Sequence, residues 1–106
     1  YYANYLKFME RGRTEFINAT GRAIADLNRE GFNFAVYEVK VKFIKAARLG
    51  DLLRVTTMTS EKPSDYRRKL LQRIDLDGVR IIEAEVDIIC LDQNQKLRVF
   101  PAGIMD

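Results

Sequence analysis

Residues 4 to 20 space their apolar side chains in steps of three and four, and from Phe34 onward the step changes to two. A chain with one sizeable amphipathic helix followed by alternating strands has few ways to bury both patterns. The helix stripe needs a flat apolar partner, and the strands need a cover on one face. The economical solution is two layers, with the helix laid against an antiparallel sheet. The expected class is therefore α+β. At 106 residues the chain has room for one such domain and a modest core.

The helix stripe is Tyr5, Phe8, Met9, Gly12, Phe16 and Ala19, with Lys7, Arg11, Thr14, Glu15 and Asn18 opposite. Asn4 is positioned as an N-cap, and Gly21 as the stop. A helix-interior glycine costs about 1 kcal/mol relative to alanine. Gly12 lies on the apolar stripe, so a sheet approaching closely at that point is expected. Arg22 to Arg29 reads as a short helix or turn. The first strand follows from Phe34, with Val39, Val41 and Phe43 alternating with Glu38, Lys40 and Lys42. Residues 45 to 51 form a loop. Leu53, Val55, Thr57 and Thr59 mark the second strand, and Glu61 to Asp65 a turn around Pro63. The third strand spans about Tyr66 to Leu76, and Asp77-Gly78 is a hairpin signal. The fourth carries Ile82, Ala84, Val86, Ile88 and Cys90 on one face and Glu83, Glu85 and Asp87 on the other. A short last strand is expected from Lys96 to Phe100, stopped by Pro101.

Composition narrows the function classes. There is no histidine, which excludes a histidine-based triad and argues against a zinc site. The single cysteine, Cys90, cannot form an internal disulfide, which points to a reducing compartment and a cytoplasmic setting. No apolar run reaches the roughly 20 residues of a membrane span. The net charge of +3 suits an anionic small ligand better than nucleic acid, for which no aromatic–basic surface pattern is visible.

Several stretches resemble one family. The opening seventeen residues, Tyr1 through Ile17, resemble the central helix of hotdog-fold acyl-CoA thioesterases of the 4-hydroxybenzoyl-CoA thioesterase and YbgC-like group. Ala46-Ala-Arg-Leu-Gly-Asp51 is similar to the family's Pro-Ala-Arg loop, with Ala46 where proline is common. Leu71-Gln-Arg-Ile74 and Glu83-Ala-Glu-Val86 resemble its third and fourth strands. The order and spacing of these pieces carry the resemblance across nearly the whole chain. It implies a hotdog fold, with one long central helix wrapped by a curved antiparallel sheet. It implies hydrolysis of an acyl-CoA or aroyl-CoA thioester, with no cofactor beyond the coenzyme A of the substrate. It further implies a homodimer, or a tetramer of dimers, with the ligand at the protomer interface. The family's first strand and catalytic Asp would precede Tyr1, so residues 1–106 are expected to be an N-terminally incomplete domain.

The resemblance places Tyr2, Asn4 and Tyr5 beside the thioester. Many relatives have histidine at the position of Tyr2. A tyrosine of ordinary pKa, near 10, is no base at neutral pH, but helix N-terminal amides suit a developing oxyanion. Glu10 is the nearest carboxylate and the weak candidate for a general base, with a surface role favoured. Arg13, at the edge of the apolar stripe, is placed to be a buried structural partner for a carboxylate. Similar basic runs in the family contact coenzyme A phosphates, which assigns that role to Arg67, Arg68, Lys69, Lys96 and Arg98. The alternative for this basic set is pairing with Glu83, Glu85 and Asp87 across the hairpin. A two-residue turn at Asp77-Gly78 puts Arg68 opposite Asp87, whereas a longer loop favours Lys69. Alternating carboxylates on a flat strand do not converge on a metal ion. Cys90, without an activating base, belongs to the core. The competing function is a non-catalytic hotdog domain that binds acyl-CoA or a protein partner.

Overall fold

The computed structural model describes residues 2–45 and 52–106, with side chains from Asn4 onward. Its elements run α1 (Tyr2–Asn18), α2 (Ile24–Arg29), β1 (Asn33–Phe43), β2 (Leu53–Ser64), β3 (Arg67–Leu76) and β4 (Val79–Leu91). The strands form one antiparallel sheet in the order β1-β4-β3-β2, with α1 packed on one face. This is the helix-on-sheet arrangement of the hotdog fold. At 17 residues, however, α1 is a short helix and not the long one expected.

The core is the face of the sheet that α1 covers. Leu70 and Ile74 of β3, Ile82, Val86 and Cys90 of β4, and Met9 and Ile17 of α1 are all fully or almost fully buried. Each large aliphatic side chain removed from water in this way contributes about 1.5–3 kcal/mol. The helix stripe is narrower than the sequence pattern suggests. Phe8 is 41% exposed, Ala19 is also exposed, and Ile17 takes the buried place at the last turn. Asn4 does not cap the helix. α1 begins two residues earlier, which leaves Asn4 exposed in the first turn.

The close approach expected at Gly12 is present. A Cβ there would lie 2.9 Å from Val55 Cγ1, 3.1 Å from Thr57 Oγ1 and 3.3 Å from Gln72 Nε2. Backbone contact of this kind fixes α1 over the β2–β3 half of the sheet.

Two boundaries differ from the sequence reading. Residues 61–64 continue β2 instead of forming a turn. β2 is an edge strand with register shifts at Glu61 and Ser64, so Pro63 interrupts no interior ladder. Residues 96–100 are not a strand, since only a single bridge joins Leu97 to Leu91. The segment is held by isolated backbone bonds, such as Arg98 N–H to the Cys90 carbonyl at 2.9 Å, together with its side chains. Phe100 packs on Phe34 with ring centroids 5.5 Å apart, and its N–H donates to the Asp65 carbonyl.

The hairpin resolves the register question in an unexpected way. Its turn is the two-residue Asp77-Gly78, with Leu76 opposite Val79. A bulge then shifts the ladder between Ile74 and Asp75, leaving Ile81 as the extra residue. Beyond it Lys69 faces Asp87 and Arg68 faces Ile88. The turn is short, as Asp-Gly demands, yet the pairing is the one a longer loop would produce.

Candidate active site

The N-terminus of α1 is where the sequence reading concentrates its chemistry. The side chain of Tyr2 lies outside the described residues, as do all of Tyr1 and the loop from Ala46 to Asp51. Tyr5 is buried and meets Phe43, at the end of β1, with ring centroids 6.1 Å apart. The first amides of any helix lack carbonyl partners within it, and here no acidic residue occupies the first turn to neutralise them. The end of α1 thus presents a partial positive charge beside an aromatic wall.

Between α1 and β1 a groove lies open, where Val36, Val39 and Phe43 of β1 are each more than a third exposed. The two elements lie antiparallel, with Tyr5 beside Phe43 at one end and Ile17 grouped with Phe34 at the other. At the Ile17 end the groove deepens into a cavity of about 160 Å³. Its apolar lining includes Ile24, Phe34, Val36, Ile88 and Met105, while Glu10, Arg13 and Thr14 line its α1 side.

Glu10 is an exposed residue two turns into α1, and its carbonyl accepts a 3.2 Å hydrogen bond from the Thr14 hydroxyl. It stands about 12 Å along the axis from Tyr2, at about 1.5 Å per residue. Arg13 does not partner a carboxylate by hydrogen bond. Its Nη1 donates to Gln72 Oε1 at 2.9 Å. Burial pushes the Arg13 pKa down from its ordinary value, and the negative charge of nearby Glu10 partly restores it.

Gln72 is the organising residue that sequence reasoning overlooked. It is fully buried, and its Nε2 donates to the Met9 carbonyl at 2.8 Å and to Thr57 Oγ1 at 2.9 Å. One amide therefore ties α1, β2 and Arg13 together, with its donors and acceptor engaged. The signal was present in the sequence, because Gln72 alternates in phase with Leu70 and Ile74 and so must enter the core.

The five cations assigned to phosphate do not form one cluster. Arg68 shares the core face with Leu70 and is only 4% exposed. Its guanidinium stacks on Phe100 at 4.5 Å, donates to the Ser64 and Arg67 carbonyls at 2.8 and 2.9 Å, and reaches Asp106 at 3.5 Å. Arg98 is likewise committed, lying 3.6 Å over the Phe32 ring and donating to the Glu30 carbonyl at 3.0 Å. Arg67 and Lys69 point to the opposite face of the sheet. Arg67 pairs with Asp87 at 3.3 Å beneath Tyr37, and Lys69 stands 4.0 Å from Glu61. The Lys96 side chain is exposed. Glu83 is paired separately with Arg80 at 2.7 Å. Among the described residues, no three His, Cys, Asp or Glu side chains converge on a point that could hold a metal. Burial pushes the Cys90 thiol pKa up, which keeps it protonated and inert.

Comparison with known proteins gives this geometry a context. The family model for the thioesterase-like superfamily matches residues 1–106. The chain is 32% identical to the acyl-CoA thioester hydrolase YbgC of Escherichia coli, over 99% of its own length and 79% of the relative's. Among solved structures, a probable thioesterase from Bartonella henselae superposes with a TM-score of 0.89 at 30% identity, covering 95% of this chain and 84% of that one. A DHNA-CoA thioesterase from Staphylococcus aureus superposes at 0.85 with 24% identity, over 93% of this chain and 67% of that one, and supports the fold.

Proposed function

Because the chain belongs to the thioesterase-like superfamily, matched along its whole length, we propose that it hydrolyses the thioester of an acyl- or aroyl-coenzyme A. The observation that carries the reading is the N-terminus of α1, set beside Tyr5 and Phe43 at the head of an apolar groove. Thioester hydrolysis needs both parts. Water adds to the carbonyl carbon and negative charge develops on its oxygen. Fixed N–H donors at a helix end lower the energy of that charge without reorganising. The tetrahedral species then collapses, the C–S bond breaks, and the coenzyme A sulfur leaves as the thiolate or thiol. Tyr5 lines the acyl side of this site, and Tyr2 and Asn4 belong to the turn that presents the amides. The attacking water requires a base. Glu10, exposed and about 12 Å from the helix end, is poorly placed to supply one.

For the nucleotide phosphates, the available cations are Arg67, Lys69 and Lys96, whose heads reach solvent. Arg68 acts instead by fixing the segment 97–106 to the sheet, and Arg98 by fixing it to the connection between α2 and β1. The protein works as a homodimer joined along β1. Among the described strands β1 and β2 are the outer two, and β2 carries Lys62 and Pro63, which discourage pairing with a second copy. β1 presents Val36, Tyr37, Val39 and Phe43, each more than a third exposed. A second copy would cover them and the open side of the groove.

The test is release of free thiol from a panel of acyl- and aroyl-CoAs, with calorimetric binding of coenzyme A in parallel. Turnover supports the hydrolase. Binding without turnover, in a protein that includes the residues preceding Tyr1, identifies a non-catalytic acyl-CoA domain, and absence of both refutes the reading. Sedimentation at micromolar concentration should show a dimer, and a monomer would remove β1 as an interface.

A further inference from the structure

We propose that Met105 sets the length of acyl group this protein accepts, by walling the far end of the groove between α1 and β1. The inference rests on the thioesterase reading and adds to it a specificity-determining residue. An acyl chain whose carbonyl sits at the α1 N-terminus can run along α1 past the exposed Val39 and Val36 of β1 toward Ile17. Twelve helical residues span about 18 Å at 1.5 Å each. The path ends in the cavity of about 160 Å³, and Met105 is the lining residue that comes from the segment 97–106 and not from α1, α2 or the sheet. The polar side chains at the cavity leave the apolar floor clear. Glu10 is exposed at the mouth, and Arg13 is drawn aside to Gln72.

The backbone at Met105 is the second observation. Its φ is 57°, in the left-handed region that non-glycine residues rarely enter, yet the side chain is only 3% exposed. Such a conformation persists only where neighbours over-determine it. Here they do. The carboxylate of Asp106 accepts from the Gly103 N–H at 2.8 Å and pairs with Arg68 at 3.5 Å and Lys62 at 3.6 Å. On the other side Ile104 is buried at 1% exposure. The clamp presses a flexible thioether against the cavity wall, where its unbranched shape decides how much space remains.

The experiment is calorimetric binding of unacylated coenzyme A and of saturated acyl-CoAs of increasing length to the parent, Met105→Ala and Met105→Phe. Met105→Ala enlarges the cavity and should move the best-bound chain to a greater length. The gain should be about fourfold in affinity for each further methylene accommodated. Met105→Phe should move the optimum shorter, and it carries the test alone if the alanine variant does not fold. Unacylated coenzyme A should bind all three proteins equally. If the parent binds acyl-CoAs and the variants keep its chain-length profile, Met105 is not the gauge while the thioesterase reading survives. If the parent binds neither coenzyme A nor any acyl-CoA, both fall.

Discussion

Replacing Gly12 with alanine should destabilise the protein, although the same change in an exposed helix would stabilise it. Alanine is favoured over glycine by about 1 kcal/mol in a helix interior. Against this stands the geometry of the contact. The new methyl would sit 2.9 Å from Val55 Cγ1, closer than carbon atoms tolerate, with Thr57 Oγ1 at 3.1 Å and Gln72 Nε2 at 3.3 Å. Valine is stiff about χ1 and cannot swing away freely. Overpacking of this kind costs about 1–3 kcal/mol. If α1 lifts to relieve the clash, the bond from Gln72 Nε2 to the Met9 carbonyl stretches as well, and a buried amide left unsatisfied adds about 1–3 kcal/mol. With the propensity gain of about 1 kcal/mol set against both costs, the net expectation is a loss of about 1–5 kcal/mol. For a domain near this size each kcal/mol shifts Tm by about 4–8 °C. Thermal and urea denaturation of Gly12→Ala, Val55→Ala and the double variant would measure it. The double variant should recover part of the loss, because the truncated Val55 makes room for the methyl. A Gly12→Ala protein more stable than the parent would show that α1 does not lie this close to β2.

Glu10→Gln should leave kcat within about threefold of the parent; a loss of a hundredfold or more would make Glu10 the general base, since acid–base groups contribute about 10²–10⁴. Arg68→Ala should lower Tm markedly with little change in the KM for an acyl-CoA, whereas Arg67→Ala should raise KM and weaken its salt dependence with little change in Tm; the reverse pattern would return Arg68 to the phosphate site. The Asp106 carboxyl is held below the usual carboxylate range, first by the Gly103 N–H and then by the charge of Lys62 and its bond to Arg68. A depressed folded pKa means the clamp contributes fully above the unfolded value of about 3.9 and is lost as pH falls through the folded one. The protection of amides in residues 97–106, taken relative to intrinsic exchange at each pH, should therefore fall in acid below about pH 4, and Asp106→Asn should flatten that dependence; an unchanged acid profile in the variant would show that the carboxylate does not hold the segment.

The alternation of β3 and β4 and the stripe of α1 were legible because burial on one face writes its period directly into the sequence. The same rule already placed Arg68 in phase with Leu70, Gln72 and Ile74. Reading Arg67, Arg68 and Lys69 as one basic patch gave charge priority over the two-residue period, and the structure follows the period. The register of the hairpin was not legible. The bulge at Ile81 shifts it, and a bulge inside a run of β-branched residues leaves no local mark. The edge status of β2, which lets Pro63 sit inside a strand, depends on the order of strands far apart in sequence. Gln72 was marked by its place in the Leu71-Gln-Arg-Ile74 stretch and by its phase with Leu70 and Ile74, whereas Met105 belongs to the site through tertiary contact and lies in no motif that announces it.

The strand order has a consequence for how the chain is made. β2, β3 and β4 are sequential neighbours, and the tight Asp77-Gly78 turn lets β3 and β4 meet without searching. β1 pairs only with β4, so Phe43 must wait for Ile82 and Asn33 for Leu91. On a ribosome adding about 5–20 residues per second, the 48 residues from Phe43 to Leu91 take about 2–10 s. Throughout that interval the apolar face of β1 lacks its partner strand, and the stripe of α1 is covered only as β2 and β3 form beneath it. The birth of the molecule is thus its most adhesive moment, and a holding chaperone has its natural window between the emergence of β1 and the completion of β4.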